Sequence, residues 1–356
     1  MDTQNNNERP EDTVVSSSVG ETHGEFLSDK VRTLTPTQMV VRRFFRSRLS
    51  VVGLAIIVAL FLFSFVGPLI FTRWGETGMD KSGGATHVVS TQIDYTDENG
   101  ESYKAFFVTK DTLEYNIYDT KPSLAHPLGT DDKSMDIFTR LMYGGQVSLT
   151  LSLIVVILET LLGILLGGLA GYFGGWVDML IMRVVDILNC IPTLPLMLII
   201  SVMFDSRNIV GRQKLYFIMV FLCALGWTGV ARVVRGQILS LREQEFMVAT
   251  EACGLPTWRR IYKHLVPNVM PQLIVIMTLG LGSIILTEAT LGYLGLGLDY
   301  PSASWGTMIN SAAKTEVLEN YWNMWIPASV CIVLAVLGFN FVGDGLRDAL
   351  DPRMKR

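Results

Sequence analysis

The stretch Glu251–Asn268, EACGLPTWRRIYKHLVPN, decides how the chain is read. It carries Arg259, Arg260 and Lys263, a Gly254-Leu255-Pro256 break and Trp258, and long apolar segments lie on both sides of it. Two short helices fit. The first runs from about Glu245 to Cys253 and ends at Gly254, because glycine adopts the left-handed backbone that closes a helix. The second starts near Thr257, a residue suited to cap a helix N-terminus. It sets Trp258, Ile261, Tyr262 and Leu265 at helical spacing on one side, and Pro267 ends it before the next apolar segment. A helix that is apolar on one side and basic on the other either lies on a lipid surface or seats in a partner's groove. The residues alone leave both readings open.

The flanking segments place this stretch at a membrane. The chain has 356 residues and is 49% hydrophobic, and its apolar residues come in blocks. Ser50 to Phe71 holds no charged residue, and 18 or more apolar residues suffice to cross the hydrocarbon core as a helix. The sequence predicts an all-α polytopic membrane protein with six spans, at about 50–71, 145–172, 177–204, 215–236, 269–296 and 322–343. Glycine and proline inside them are tolerated in lipid. Cys190, Cys223, Cys253 and Cys331 have neither zinc nor disulfide spacing and read as small apolar fillers. The first 28 residues are polar, acidic and serine-rich and are not expected to form a cleavable signal peptide. Residues 1–34 are expected to be a disordered cytoplasmic tail.

Charge sets the orientation. Lys30, Arg32, Arg42, Arg43, Arg46 and Arg48 precede the first span, and basic flanks favour the cytoplasm. Six spans then return the C-terminal tail, 345–356, to the same side. The stretch 232–264 holds six basic and three acidic residues and falls inside, whereas 73–137 holds six basic and twelve acidic residues and falls outside. The short loop with Arg207, Arg212 and Lys214 disagrees, being basic and outside. Within 73–137, the segment HVVSTQIDYTDENGESYKAFFVTK alternates on both sides of Asp97-Glu98-Asn99-Gly100, which predicts a β-hairpin turning at Asn99-Gly100. The resulting plan is a cytoplasmic segment and first span at 35–72, an extracellular β-containing insertion at 73–137, and a transmembrane core at 138–344.

The opening stretch resembles the cytoplasmic loop of permease subunits of ABC importers. That family's pattern is Glu-Ala-Ala, three residues, glycine, then nine residues before Ile-x-Leu-Pro. Here the triplet is Val248-Ala249-Thr250, the glycine is Gly254, and Pro267 follows thirteen positions later. The triplet keeps only its alanine, and His264 and Val266 stand at the Ile and Leu positions. HPLGTDD (126–132), LAGYFGGWVDMLIMRVVDIL (169–188), LGYLGLGLDYPSASWG (291–306) and NFVGDGLRDALDPR (340–353) are similar to the C-type permease of bacterial oligopeptide and dipeptide importers. The resemblance runs from about Thr35 to the end, apart from the enlarged outer segment.

The resemblance implies an alternating-access permease in the bacterial plasma membrane, with both termini cytoplasmic. Its partners would be a second permease, two cytoplasmic ATPase chains, an external substrate-binding protein, the peptide cargo and membrane lipid, with no nucleic acid. The stretch becomes the ATPase-coupling element: Ala249, Thr250, Glu251, Ala252, Gly254, Leu255, Pro256, Trp258, Arg259 and Arg260. The chain has no G-x-x-x-x-G-K-[ST] loop to cradle phosphates. It is therefore expected to hold no cofactor and to catalyse nothing, with ATP and magnesium bound by the partner ATPases.

Other residues are weighed as gate or pathway groups. Glu159 sits mid-span, where a carboxylate is costly; it is either paired with a neighbouring helix, held protonated, or functional. Arg183 and Asp186, one turn apart, form either a local pair or a gate contact. Glu288 resembles a position the family keeps acidic and either braces the following turn or lines the path. Trp305 reads first as an interfacial anchor. His126 with Asp131 and Asp132 offers too few ligands for a metal. Alternative functions are the same architecture carrying nickel, opines or glutathione, and a non-transporting receptor or scaffold.

Overall fold

The chain folds around one long helix. The computed structural model describes residues 36–71, 73–78, 89–96, 102–109, 122–209 and 211–351. Before that helix come α1 (Pro36–Arg46), α2 (Arg48–Phe61), a π-turn at Leu62–Val66 and α3 (Gly67–Ile70). Strands β1 (Val89–Thr96) and β2 (Ser102–Thr109) pair antiparallel, with Val89 opposite Thr109 and Thr96 opposite Ser102. The Asn99-Gly100 turn and the N-terminal tail lie outside the described residues.

Helix α4 (Ile137–Phe173) starts eight residues before its expected bound, because Asp136 caps it and accepts the Thr139 N–H at 2.7 Å. Its glycines explain how it packs. Gly163, Gly167 and Gly171 recur every four residues on one face. A Cβ on Gly167 would stand 2.9 Å from the Ala231 Cα, and one on Gly171 would stand 2.9 Å from the Arg235 carbonyl. Small residues at this spacing let two membrane helices approach backbone to backbone. The helix they meet is α7 (Arg212–Arg242). On its other side α4 joins the largest core cluster, where Leu141, Leu149 and Val156 meet Leu281, Ile285, Ile332 and Phe339.

The expected third span is not one straight helix. It is α5 (Gly175–Cys190) and α6 (Thr193–Ser206), bent by 77°. Proline forces the neighbour before it out of the helical region, and Ile191, ahead of Pro192, has φ −84° and ψ 120°. The remaining helices are α8 (Glu245–Ala252), α9 (Thr257–Arg260), α10 (Val266–Tyr293), α11 (Trp305–Asn310), α12 (Thr315–Asn320) and α13 (Trp322–Leu350). Among the described residues five helices are long and apolar enough to cross a membrane, and six spans result if the bent pair counts as one.

Candidate functional site

The break between α7 and α10 is built from its backbone upward. Helix α8 ends in two reversed bonds: the Gly254 N–H donates to the Glu251 carbonyl at 2.9 Å, and the Leu255 N–H donates to the Thr250 carbonyl at 3.2 Å. Together they form the Schellman closure, which needs a left-handed residue, and Gly254 has φ +69°. Pro256, not Thr257, takes the cap position of α9, and Thr257 is the first helical residue with no capping bond of its own.

Pro267 does not end the helix, contrary to the sequence reading. Residues 257–293 run on as one helix through a π-turn at Ile261–Leu265. Proline lacks the N–H that a regular turn requires, and Pro267 sits in the first turn of α10, just after the π-turn has widened the backbone. The Asn268 side-chain amide donates to the His264 carbonyl at 2.8 Å.

Side chains divide this stretch differently from the expected single apolar face. Leu265 is fully buried with Met247, Val269 and Ile238, and Ile261 packs against them. Trp258 and Tyr262 instead point out, 68% and 67% exposed, with rings stacked 5.5 Å apart. Phe246 and Val248 are exposed as well, as are Ala249, Glu251, Ala252, Pro256, Arg259 and Lys263, whereas Leu255 is half-buried. The Thr250 hydroxyl donates to the Met247 carbonyl at 2.7 Å. Arg260 alone of the basic residues turns inward. It reaches Glu251 at 3.3 Å and lies over the Tyr172 ring at 5.7 Å. Arg242 caps the far end of α4, donating to the Tyr172 carbonyl at 3.1 Å. Both arginines therefore pin the break to α4, and the outward residues are left to meet something else. Next to it a groove of about 650 Å³ opens between α7, α10 and α13, bordered by Gln237, Asn268, Gln272 and Arg347. Gln237 donates to Gln272 across it.

The gate and pathway residues do not gather in one place. Asp186 pairs with Arg232 of α7 at 2.8 Å, not with Arg183. Two residues three apart on a helix can meet, but a facing helix offers the shorter reach here. Asp178, which the sequence reading passed over, pairs with Arg235. Thr228 donates to Asn189 at 3.3 Å, so three polar contacts run antiparallel between α5 and α7. Arg183 is exposed and has no ion pair among the described residues. Glu159 has no hydrogen bond among the described residues; its carboxylate occupies the space where a Cβ on Gly226 would stand.

Glu288 is buried and accepts the Ser148 hydroxyl proton at 2.8 Å, and Ser148 in turn accepts the Trp305 N–H at 3.3 Å. That chain ties α4, α10 and α11. Trp305 is fully buried, and its indole N–H donates to the Leu141 carbonyl at 3.0 Å. It is a core residue and not an interfacial anchor, because Gly144, Gly145 and Gly292 open the space that admits its turn.

At the end of the bundle opposite the break, titratable side chains meet in pairs. The His126 ring lies 2.9 Å from Asp136, and Arg140 pairs with Asp131 at 3.1 Å while donating to the Pro301 carbonyl at 2.9 Å. Burial pushes the Asp131 carboxyl above its ordinary range, and Arg140 offsets only part of this. Lys214 of the discordant basic loop is fully buried between Asp205 at 2.7 Å and Asp299 at 3.4 Å. Among the described residues no three His, Cys, Asp or Glu side chains converge as metal ligands.

Comparison with known proteins completes the picture. Residues 163–356 match the family described as the binding-protein-dependent transport system inner membrane component, and residues 35–78 match the N-terminal transmembrane domain of oligopeptide transport permease C. The chain is 34% identical over 329 residues to the dipeptide transport system permease protein DppC of Bacillus subtilis, covering 92% of this chain and 89% of that protein. It is 35% identical over 316 residues to the same organism's oligopeptide transport system permease protein OppC, with 88% of each chain covered. To the OppC protein of Haemophilus influenzae it is 33% identical over 315 residues, covering 88% of this chain and 87% of that protein. Spans of this number, the glycine-closed break between two of them and these matches at both ends place the chain in one family: it belongs to the inner membrane components of binding-protein-dependent transport systems, in the permease C branch, and is a transport subunit rather than an enzyme.

Proposed function

We propose that this chain is the C-type permease of an ATP-driven importer of oligopeptides or dipeptides, and that residues 245–265 are its contact with the ATPase chains. One observation carries the coupling assignment. The stacked Trp258–Tyr262 pair is exposed on a break that Gly254 closes and that Arg260 ties to Glu251 and to the Tyr172 ring of α4. A lever must be rigid behind and sticky in front, and exposed aromatics beside Arg259 suit the helix-in-groove mode. The peptide cargo is supported by the printed functions of the relatives, which transport dipeptides and oligopeptides.

The partners follow from that reading: a second permease, two cytoplasmic ATPases that bind ATP and magnesium, and an extracellular substrate-binding protein. The break and both termini face the cytoplasm, and 73–137 with its hairpin faces outward, in keeping with the arginines that precede the first span. Glu288 acts as a brace, supported by its bonds through Ser148 to Trp305. Glu159 and the Asp186–Arg232 pair are structural contacts between spans.

The test is uptake by the assembled importer carrying Trp258→Ala with Tyr262→Ala. Peptide uptake is expected to fall by at least tenfold, since truncating a central aromatic anchor costs about 2 kcal/mol or more. The spans should still assemble, because neither ring is part of the buried core. Unchanged uptake, with ATPase chains still co-purifying, removes the coupling assignment.

A further inference from the structure

Helix α1 has a second face that neither the fold nor the coupling reading uses. Its inward face, Val40 and Phe44, packs against Val342, Leu346 and Ala349 of α13. Beside that face Val41 and Phe45 stand 50% and 57% exposed, and Leu49 extends the line at 61%. Arg42 and Arg46 follow around the helix and Arg48 opens α2; all three are exposed, and none has an ion pair among the described residues. Helix α1 contains no acidic residue. Arg43 differs, donating to the Asp351 carbonyl at 3.3 Å, and it fastens α1 to the end of α13.

The position of α1 is fixed by what it joins. One residue, Ser47, separates it from the span Arg48–Ile70. Ser47 leaves the helical region with φ −77° and ψ 119°, and its hydroxyl accepts the Ser50 N–H at 3.4 Å. The chain can therefore change direction where the span begins. On its packed side α1 meets the last turns of a second span, α13. Both neighbours reach their ends here, so α1 sits at the boundary of the hydrocarbon core. There an exposed Val41–Phe45–Leu49 line meets acyl chains while the adjacent arginines meet headgroups, which is how an interfacial helix binds.

We propose that α1 is a lipid-binding element that recognises the phosphates of anionic phospholipids through Arg42, Arg46 and Arg48. Guanidinium groups pair with phosphate through two parallel bonds. Each arginine near an anionic leaflet contributes roughly a fivefold preference. The exposed acids of the neighbouring α13 turns, Asp344 and Asp348, do not neutralise these three arginines in the structure. Their charge is thus left for the leaflet. The surface also gives the first span a fixed depth, because α1 is held to lipid on one side and to α13 on the other.

Hydrogen exchange on the assembled importer in lipid nanodiscs tests this, with discs of phosphatidylcholine alone or mixed with phosphatidylglycerol. Peptides covering 36–46 should gain several-fold protection when phosphatidylglycerol is present. That gain should vanish with Arg42→Gln, Arg46→Gln and Arg48→Gln together, be kept only in part when the same three are replaced by lysine, which carries the charge without the two-pronged bond, and shrink at high salt. Peptides from α4 and α10 serve as the fold control and should not change. Equal protection in both lipids overturns the proposal. A gain that is lost when the ATPase chains are stripped from the discs also overturns it, and assigns the face to a protein partner instead. The coupling assignment is untouched by either result, because its readout is uptake.

Discussion

Gly254 and Gly226 show two reasons for a glycine, and only one can be read without a fold. Gly254 closes α8 in a left-handed conformation, and its place between a short helix and Leu255-Pro256 announces this. Gly254→Ala is expected to cost about 1–2 kcal/mol and to lower uptake per ATP hydrolysed, measured as the transport-to-ATPase ratio in proteoliposomes. An unchanged ratio would mean that the angle of the break does not matter. Gly226 is small because the Glu159 carboxylate fills its side-chain space from another helix. Nothing local to Gly226 reveals a neighbour 67 positions away. Gly226→Val should destabilise the purified chain, and adding Glu159→Ala should recover much of the loss, so a thermal-melt double-mutant cycle should show strong coupling. Additive effects would mean that the two residues do not meet. The local Arg183–Asp186 pair, one of the two readings open from sequence, fails for the same cause: Asp186 finds its partner across an interface.

Helix existence was legible because apolar runs of span length have few other fates in a chain. Helix breaks were not equally legible. Pro192 bends a span and Pro267 does not, although both are prolines beside apolar segments. The difference lies in the turn ahead of each: Ile191 is extended, whereas a π-turn precedes Pro267 and lets the helix continue. The α5–α7 contact makes a graded prediction. Asp186 and Arg232 are both about half exposed, whereas Asp178 and Arg235 are more enclosed, at 17% and 33%. Asp186→Ala should therefore cost less than about 1 kcal/mol. Asp178→Ala should cost roughly twice that or more, since an enclosed arginine is left without its partner. Unfolding of the solubilised chain by a mild-to-harsh detergent titration ranks the two, and the reverse order would locate the main α5–α7 tie elsewhere.

At the scale of the whole molecule, α4 is the post against which α7 and α10 stand. The Gly163–Gly167–Gly171 face allows the closest approach, so Gly167→Leu is expected to separate α4 from α7 and to prevent a folded, assembled permease. Loss of the chain from the co-purified complex is the readout, and normal assembly would show that the two helices can part without consequence. The periodic glycines were visible in the sequence, but which helix they meet was not, because a small-residue face fits any partner that can come close. The discordant basic loop is the clearest case where counting charges misleads. Lys214 adds to the tally of positive residues on the wrong side, yet it is fully buried between two carboxylates.

Those two carboxylates are made at different times. Asp205 lies nine residues before Lys214, and Asp299 lies 85 residues after it. When the ribosome has just released α7, the lysine has its first counter-ion at hand and lacks the second. The second arrives only after α8, α9 and the whole of α10 have been synthesised. Insertion of α7 thus begins with a half-neutralised cation at its leading end, and locking of that end waits on a helix not yet born. A chain truncated before Asp299 should hold α7 less firmly than the full chain, so the order of translation becomes part of how the topology is set.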